Sequence, residues 1–243
     1  MEKIKEEITR GIVIVAGGIG SRMGSAIPKQ FALVGGEPVL VRTINAFATT
    51  FPTSKIVVVL PASQIAFWKN LSARFTVARH SVVEGGEQRF HSVQRGIEAL
   101  SGAVDYIAIH DGVRPFVSRQ MIKRVAECAE RTGTAVPVVH PVDSFRIERE
   151  DGSSQQIDRS PLRIVQTPQI FEAGLIRAAY DTEYDKAFTD DSSVVERVLG
   201  YKVTLCEGER SNIKITTPED LAFGEAILRM QSDKEANEEA DRE

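Results

Sequence analysis

Cysteine is scarce: two in 243 residues, with no second soft ligand near either, so a disulfide framework and a thiolate metal site are both excluded. Cys128 falls in an expected helix and Cys206 in an expected strand, and both read as small core residues of a protein from a reducing compartment. Positive charge is short as well. With 30 Lys and Arg against 34 Asp and Glu the net charge is -4, whereas a general nucleic-acid binder needs a basic stripe that neutralises several phosphates. Nucleic acid is therefore not an expected partner. No run approaches the roughly 18 consecutive apolar residues of a membrane span, and Met1-Glu2-Lys3-Ile4-Lys5-Glu6-Glu7 has no apolar core of a secretion signal. The expectation is a cytoplasmic protein with no membrane partner. Also missing are G-x-S-x-G, H-E-x-x-H and any evident cysteine-histidine pairing, so no nucleophile-and-base constellation is present.

What is present is a β-α-β rhythm. Apolar runs of strand length recur at 12–16, 55–60, 77–83, 104–109, 134–139 and 202–206, separated by segments of helical spacing. Over 118–131, Met121, Ile122, Val125, Ala126 and Ala129 fall on one stripe behind Ser118, a natural N-cap; over 87–100, Phe90, Val93, Ile97 and Leu100 do the same. Continuous apolar strands imply burial on both faces, so the expected fold is doubly wound α/β with a mostly parallel sheet. One domain is expected over 1–232, with residues 233–243 a charged tail that is a fraying, solvated helix end or disordered. From Pro141 to Gln166 the rhythm breaks, and Asp151-Gly152 between two short alternating segments predicts a protruding hairpin arm. A lone hairpin is marginal in water, so a second subunit is its expected partner across a 141–166 arm.

The chemistry begins where the first strand ends. In Ala16-Gly17-Gly18-Ile19-Gly20-Ser21-Arg22-Met23-Gly24, three glycines let backbone N–H groups approach a phosphate, and Arg22 and Lys29 add full charges. The dinucleotide fingerprint fails by one position and the Walker lysine is misplaced, which leaves a different polyphosphate cradle or an ordinary glycine turn.

Ligands of an open parallel sheet bind beyond the carboxyl ends of its strands, which adds Glu84-Gly85-Gly86-Glu87-Gln88-Arg89 and His110-Asp111-Gly112-Val113-Arg114-Pro115. Asp111 reads as a hard oxygen ligand for Mg²⁺ or as a turn aspartate, and Arg114 as a phosphate fork or a surface ion pair. His110 reads as a packed histidine. Gly85-Gly86 offers N–H groups to a base edge, with Ser92 a turn further on, or simply starts a helix. Thr217-Pro218 with Asp220 predicts a helix start, and Lys214 just ahead of it is either a site cation or an edge lysine. Thr189-Asp190-Asp191 is divided between helix capping and substrate contact. Arg22, Lys29 and Lys214 with one metal ligand suit nucleotidyl transfer, in which an oxygen attacks the α-phosphate of a nucleoside triphosphate.

Taken together, the glycine loop with Pro28-Lys29-Gln30-Phe31, Gly85-Gly86-Glu87-Gln88-Arg89 with Ser92-Val93, His110-Asp111-Gly112-Val113-Arg114-Pro115, Asp158-Arg159-Ser160, Gln166-Thr167-Pro168-Gln169, Thr189-Asp190-Asp191 and Asn212-Ile213-Lys214 resemble the 2-C-methyl-D-erythritol 4-phosphate cytidylyltransferases of non-mevalonate isoprenoid biosynthesis, over about residues 11–230. The resemblance implies a Rossmann-like nucleotidyltransferase that joins CTP and methylerythritol phosphate into 4-diphosphocytidyl-2-C-methyl-D-erythritol and pyrophosphate with Mg²⁺. By position, Arg22, Lys29 and Lys214 would be catalytic. Ala16, Gly17, Gly18, Gly20, Gly86, Glu87 and Ser92 would hold the nucleotide, and Asp111 the metal. Arg114, Ser144, Arg159, Thr167 and Thr189, with Asp111, would line the alcohol phosphate pocket, Arg159 acting on the partner of a homodimer. Three positions depart from the family: Gly17 and Gly112 stand where alanine is usual or common, and Ser144 where threonine is frequent. The rivals are a ribitol-5-phosphate cytidylyltransferase and a non-catalytic CTP-binding regulator.

Overall fold

Each continuous apolar run sits inside one eight-stranded sheet because both of its faces find helices to bury against. The computed structural model describes residues 8–18 and 27–240, with side chains through Asp233. Its strands are β1 (Arg10–Val15), β2 (Leu33–Val34), β3 (Glu37–Pro38), β4 (Lys55–Leu60), β5 (Ser81–Glu84), β6 (Tyr106–Asp111), β7 (Thr134–Val139), β8 (Phe145–Glu148), β9 (Ser154–Ile157), β10 (Ile164–Val165), β11 (Gln169–Glu172) and β12 (Leu205–Glu207). The helices are α1 (Val39–Thr50), α2 (Ala62–Ser72), α3 (Arg89–Glu98), α4 (Arg119–Thr132), α5 (Ala173–Tyr180), α6 (Asp191–Leu199) and α7 (Pro218–Ala240), and a 3-10 turn spans Lys29–Phe31.

The order β10-β7-β11-β6-β1-β4-β5, with β12 also on β7, makes the sheet mostly parallel, as the sequence predicts. Strand β11 is the exception at its heart: it runs antiparallel to both β6 and β7. Side chains alternate between two cores. Ile12, Ile14, Val58 and Ala108 face Phe47, Trp68, Met121 and Val125, while Val13, Val15, Val57, Val59, Ile107 and Ile109 face Phe90, Val93, Ile176 and Val195. Among the described residues no helix is long and apolar enough to cross a membrane.

Local signals explain the element ends. Ser118 Oγ accepts from Met121 N at 2.9 Å to start α4, and Gly133 ends it at φ 81°, a left-handed cap that any Cβ would strain. Asp220 accepts from the N–H groups of Thr216 and Thr217, both at 2.8 Å, behind Pro218. Helix α7 then runs to Ala240, so the charged tail, expected to fray, is helical to that point.

The expected strand at 77–83 starts only at Ser81. The reason is that the Asn45 side chain takes up Thr76 O and Ala78 N, and His80 turns to accept from Trp68 Nε1, so that stretch satisfies its polar groups off the ladder. The strand expected at 202–206 is Leu205–Glu207. Both cysteines are free; Cys128 is buried, and burial pushes the half-buried Cys206 thiol up to about 12, leaving it unreactive. Strands β8 and β9 pair across four residues each and are almost wholly exposed.

Gly17 and Gly112 behave differently. Among the described residues a Cβ on Gly17 would meet only Ser92 Oγ, at 3.7 Å, whereas one on Gly112 would lie 2.9 Å from Ala16 Cβ and 3.2 Å from both Ile14 and Leu40. Thermal melting should show Gly17→Ala within about 0.5 kcal/mol of wild type and Gly112→Ala destabilised by roughly 1–3 kcal/mol.

Candidate active site

Backbone pairing carries the chain straight from β1 into the glycine loop, since Ala16 N still donates to Val59 O at 2.9 Å. Ala16, Gly17 and Gly18 then form one wall of a cavity of about 280 Å³. Lys29, buried at the head of the 3-10 turn, lines the same cavity, and a Cβ on Gly18 would come within 3.3 Å of its Cε, so the glycine makes room for the lysine. Arg22 and Gly20 lie outside the described residues.

The opposite wall is Gly86 to Arg89 with Ser92. Ser92 Oγ accepts from Gly86 N at 3.2 Å and donates to Gln88 O at 3.2 Å, which folds the Gly85-Gly86 turn back onto α3. Here the two readings of these glycines separate: Gln88 occupies the N-cap of α3, so Gly86 and Glu87 precede the helix and are presented to the cavity.

Asp111, at the carboxyl end of β6, is the electrostatic centre. Lys214 Nζ lies 2.9 Å from Oδ2, Arg114 Nε 3.4 Å from the same oxygen, and Arg89 Nε 3.5 Å from Oδ1. Burial alone would raise this carboxyl, but Arg89, Lys214 and Arg114 outweigh it and hold it well below the usual carboxylate range. Lys214 is therefore a site cation and not an edge lysine; the Ile215 N–H to Val113 O bond at 2.9 Å and the fully buried Ile215 side chain turn it toward Asp111. Arg89 is anchored from behind. Its two terminal nitrogens reach Asp191 at 2.8 and 2.7 Å, and Tyr180 donates its hydroxyl to Asp191 Oδ1 at 2.6 Å.

A buried relay fixes the Asp111 backbone. His110 Nε2 faces the Arg114 carbonyl at 3.1 Å, so it carries the proton; Nδ1 then accepts from Thr167 Oγ1 at 3.1 Å, and Thr167 Oγ1 accepts from Asp111 N at 3.1 Å. The chain works only with neutral His110. Burial lowers His110 from its ordinary 6.5 to about 4, against the pull of the Arg114 carbonyl. Between those values the unfolded chain binds more protons than the folded one. Stability is thus full above pH 6.5 and falls as the pH drops toward 4, by about 3 kcal/mol. Urea unfolding across pH 4.5–7 should show this slope, flattened in His110→Gln.

Of the residues singled out in the sequence, Ala16, Gly17, Gly18, Lys29, Gly86, Glu87, Ser92, Asp111 and Lys214 line the cavity. Arg114 reaches it through Asp111, and Thr167 spends its hydroxyl beneath it. Ser144, Arg159 and Thr189 lie off its wall, all exposed. Arg159 donates to the Val142 carbonyl, and Thr189 donates its N–H to Ser193 Oγ at 2.9 Å. Within Thr189-Asp190-Asp191 the capping reading holds for Asp190, which closes a reciprocal cap with Ser193, while Asp191 holds Arg89. Arg89 had no role assigned from sequence; its signal was its place beside the double glycine at a strand's carboxyl end.

A family model described as IspD: 2-C-methyl-D-erythritol 4-phosphate cytidylyltransferase matches residues 11–230. The chain belongs to this family. A cytidylyltransferase of that name from Phocaeicola vulgatus is 47% identical over 91% of this chain and all of the relative. Among solved structures, the 2-C-methyl-D-erythritol 4-phosphate cytidylyltransferase from Thermus thermophilus is 33% identical with a TM-score of 0.71, covering 90% of this chain and 98% of that one. The 4-diphosphocytidyl-2C-methyl-D-erythritol synthase from Anaerococcus prevotii is 28% identical with a TM-score of 0.76, covering 92% and 99%. The relatives are named as nucleotidyltransferases, and the cation-rich cavity lies where a parallel sheet places its ligand.

Proposed function

We propose that the chain joins CTP to 2-C-methyl-D-erythritol 4-phosphate, releasing pyrophosphate, as a step of non-mevalonate isoprenoid biosynthesis. The observation that carries this reading is the meeting of Lys29 and Lys214, from opposite ends of the chain, with Asp111 around the glycine loop. Lys29, Arg89 and Lys214 outnumber Glu87 and Asp111 on the cavity wall among the described residues, which favours a polyanion.

A phosphate monoester with a second pKa of about 6 is already ionised at neutral pH, so its oxygen attacks the α-phosphorus without a general base as the bond to the β-phosphate breaks. Lys29 and Lys214, with Arg22, neutralise charge on the α-phosphate, and the backbone around Ala16 and Gly86 with Ser92 and Glu87 holds the nucleoside. Asp111 is the residue that would hold Mg²⁺: it is a buried hard carboxylate facing a cavity for phosphates, and the ion would share its oxygens with Lys214, Arg114 and Arg89, which already engage both of them. Held by Asp111, the ion would supply further positive charge to the phosphate oxygens.

We further propose one catalytic domain over 1–232, cytoplasmic in keeping with its free cysteines, and a homodimer formed through the 141–166 arm. Ser144 and Arg159 are exposed near Phe145, Ile147, Ile164 and Val165, apolar residues left open to solvent. Mixed dimers of Arg159→Ala and Lys29→Ala chains should then regain part of the activity that each lacks alone; no recovery in verified mixed dimers removes the shared site. The reaction itself is tested by pyrophosphate release with CTP, UTP or ATP against methylerythritol phosphate or ribitol phosphate, with and without Mg²⁺. Release only with CTP and methylerythritol phosphate is expected. Turnover of ribitol phosphate, or CTP binding without release, gives the reading to its rivals.

A further inference from the structure

Under the glycine loop two glutamine side chains meet. Gln30, fully buried in the 3-10 turn, shares the two hydrogens of Nε2 among Ala16 O at 3.0 Å, Gly18 O at 3.3 Å and Gln64 Oε1, so one of them is bifurcated. Gln64 belongs to none of the motifs above; it is buried on α2. Gln30 Oε1 has no partner among the described residues. The carboxamide is thus oriented through its nitrogen alone, and Gln64 is its side-chain anchor.

The loop backbone translates that orientation into ligand geometry. A trans peptide points its C=O and N–H to opposite sides. With the Ala16 carbonyl held down on Gln30, the Gly17 N–H is turned the other way. Among the described residues neither Gly17 N–H nor Gly18 N–H has an acceptor, although both residues line the cavity.

We propose that Gln64 is a positioning residue for nucleotide binding: through Gln30 it pins the Ala16 and Gly18 carbonyls and so presents the Gly17 N–H to an acceptor oxygen of the nucleotide. The inference rests on the nucleotide reading of this cavity. Gln64→Met keeps the length and loses the acceptor, whereas Gln64→Glu keeps an acceptor for Gln30.

Titration calorimetry with CTP separates the cases. Gln64→Met should bind CTP about tenfold more weakly, as for one buried hydrogen bond lost, and Gln64→Glu within about threefold of wild type. The KM for methylerythritol phosphate should stay within about twofold in both. Equal CTP affinity in wild type and Gln64→Met overturns the inference, as does Gln64→Glu binding as weakly as Gln64→Met, or a parallel rise in both KM values. Should Gln64→Met fail to fold, the Gly17 amide resonance of the wild-type protein decides: it should move on adding CTP, and a resonance that stays in place overturns the inference. Wild-type protein that binds no CTP at all overturns the nucleotide reading itself, and this inference with it.

Discussion

Lys29→Ala should lower kcat by on the order of a hundredfold or more at saturating CTP, measured as pyrophosphate release. The residue is 9% exposed and packs under the glycine loop, its Cε 3.3 Å from where a Cβ on Gly18 would stand, so it is already in the cavity wall before substrate arrives. Such a group gains most where charge develops, which places the loss in kcat more than in KM. Arg22→Ala should act in the same way. Lys214→Ala should also slow turnover, but with a different signature: it removes the nearest of the three cations on Asp111 and leaves Arg89 and Arg114 to balance that carboxylate. A kcat unchanged in Lys29→Ala would remove this residue from the catalytic assignment.

The largest stability effect is expected at Asp191, a residue that never touches the cavity. Its carboxylate is fully buried and holds both terminal nitrogens of Arg89 while accepting from Tyr180. Burial works against the Arg89 charge, but the Asp191 pair outweighs it and raises the group well above its ordinary value, so the guanidinium stays charged. Asp191→Ala leaves the half-buried guanidinium with Asp111 alone, 3.5 Å from its Nε, and Tyr180 with an unpaired phenol, at a cost of about 3 kcal/mol. For a chain of this length that is roughly a 10 °C drop in Tm. Adding Arg89→Met to Asp191→Leu should restore most of the stability while activity stays low, because the cavity has lost a cation. Recovery of both together would mean that Arg89 serves packing alone.

Much of the fold was legible because burial on both faces leaves an unmistakable pattern: Ile12 to Val15 and Ile56 to Leu60 are apolar throughout. Strand β11 was not legible. It is four residues long with only Ile170 and Phe171 apolar, and nothing in Gln169-Ile170-Phe171-Glu172 encodes its direction. The capping of α4 and α7 could be read residue by residue, since each depends on a side chain within three positions of the helix start. The site divides along the same line. Residues that act from a loop beside their own strand, such as Gly17, Lys29 and Asp111, were visible locally. Arg89 and Asp191 gain meaning only from each other, and their pairing across distant segments is a product of packing that no local spacing announces.

One consequence of the reversed strand concerns where the hairpin is rooted. Strand β7 runs toward the rim that bears Asp111, and β11, opposed to it, sets out from that same rim at Thr167. Both ankles of the intervening 141–166 excursion therefore stand at the mouth of the cleft. Had that strand been laid the other way, the excursion would have had to return across the full height of the sheet. The exposed β8–β9 pair is thus tethered beside the chemistry, and lengthening or shortening that pair alone changes what stands next to the opening while the β10–β7 pairing stays with the sheet.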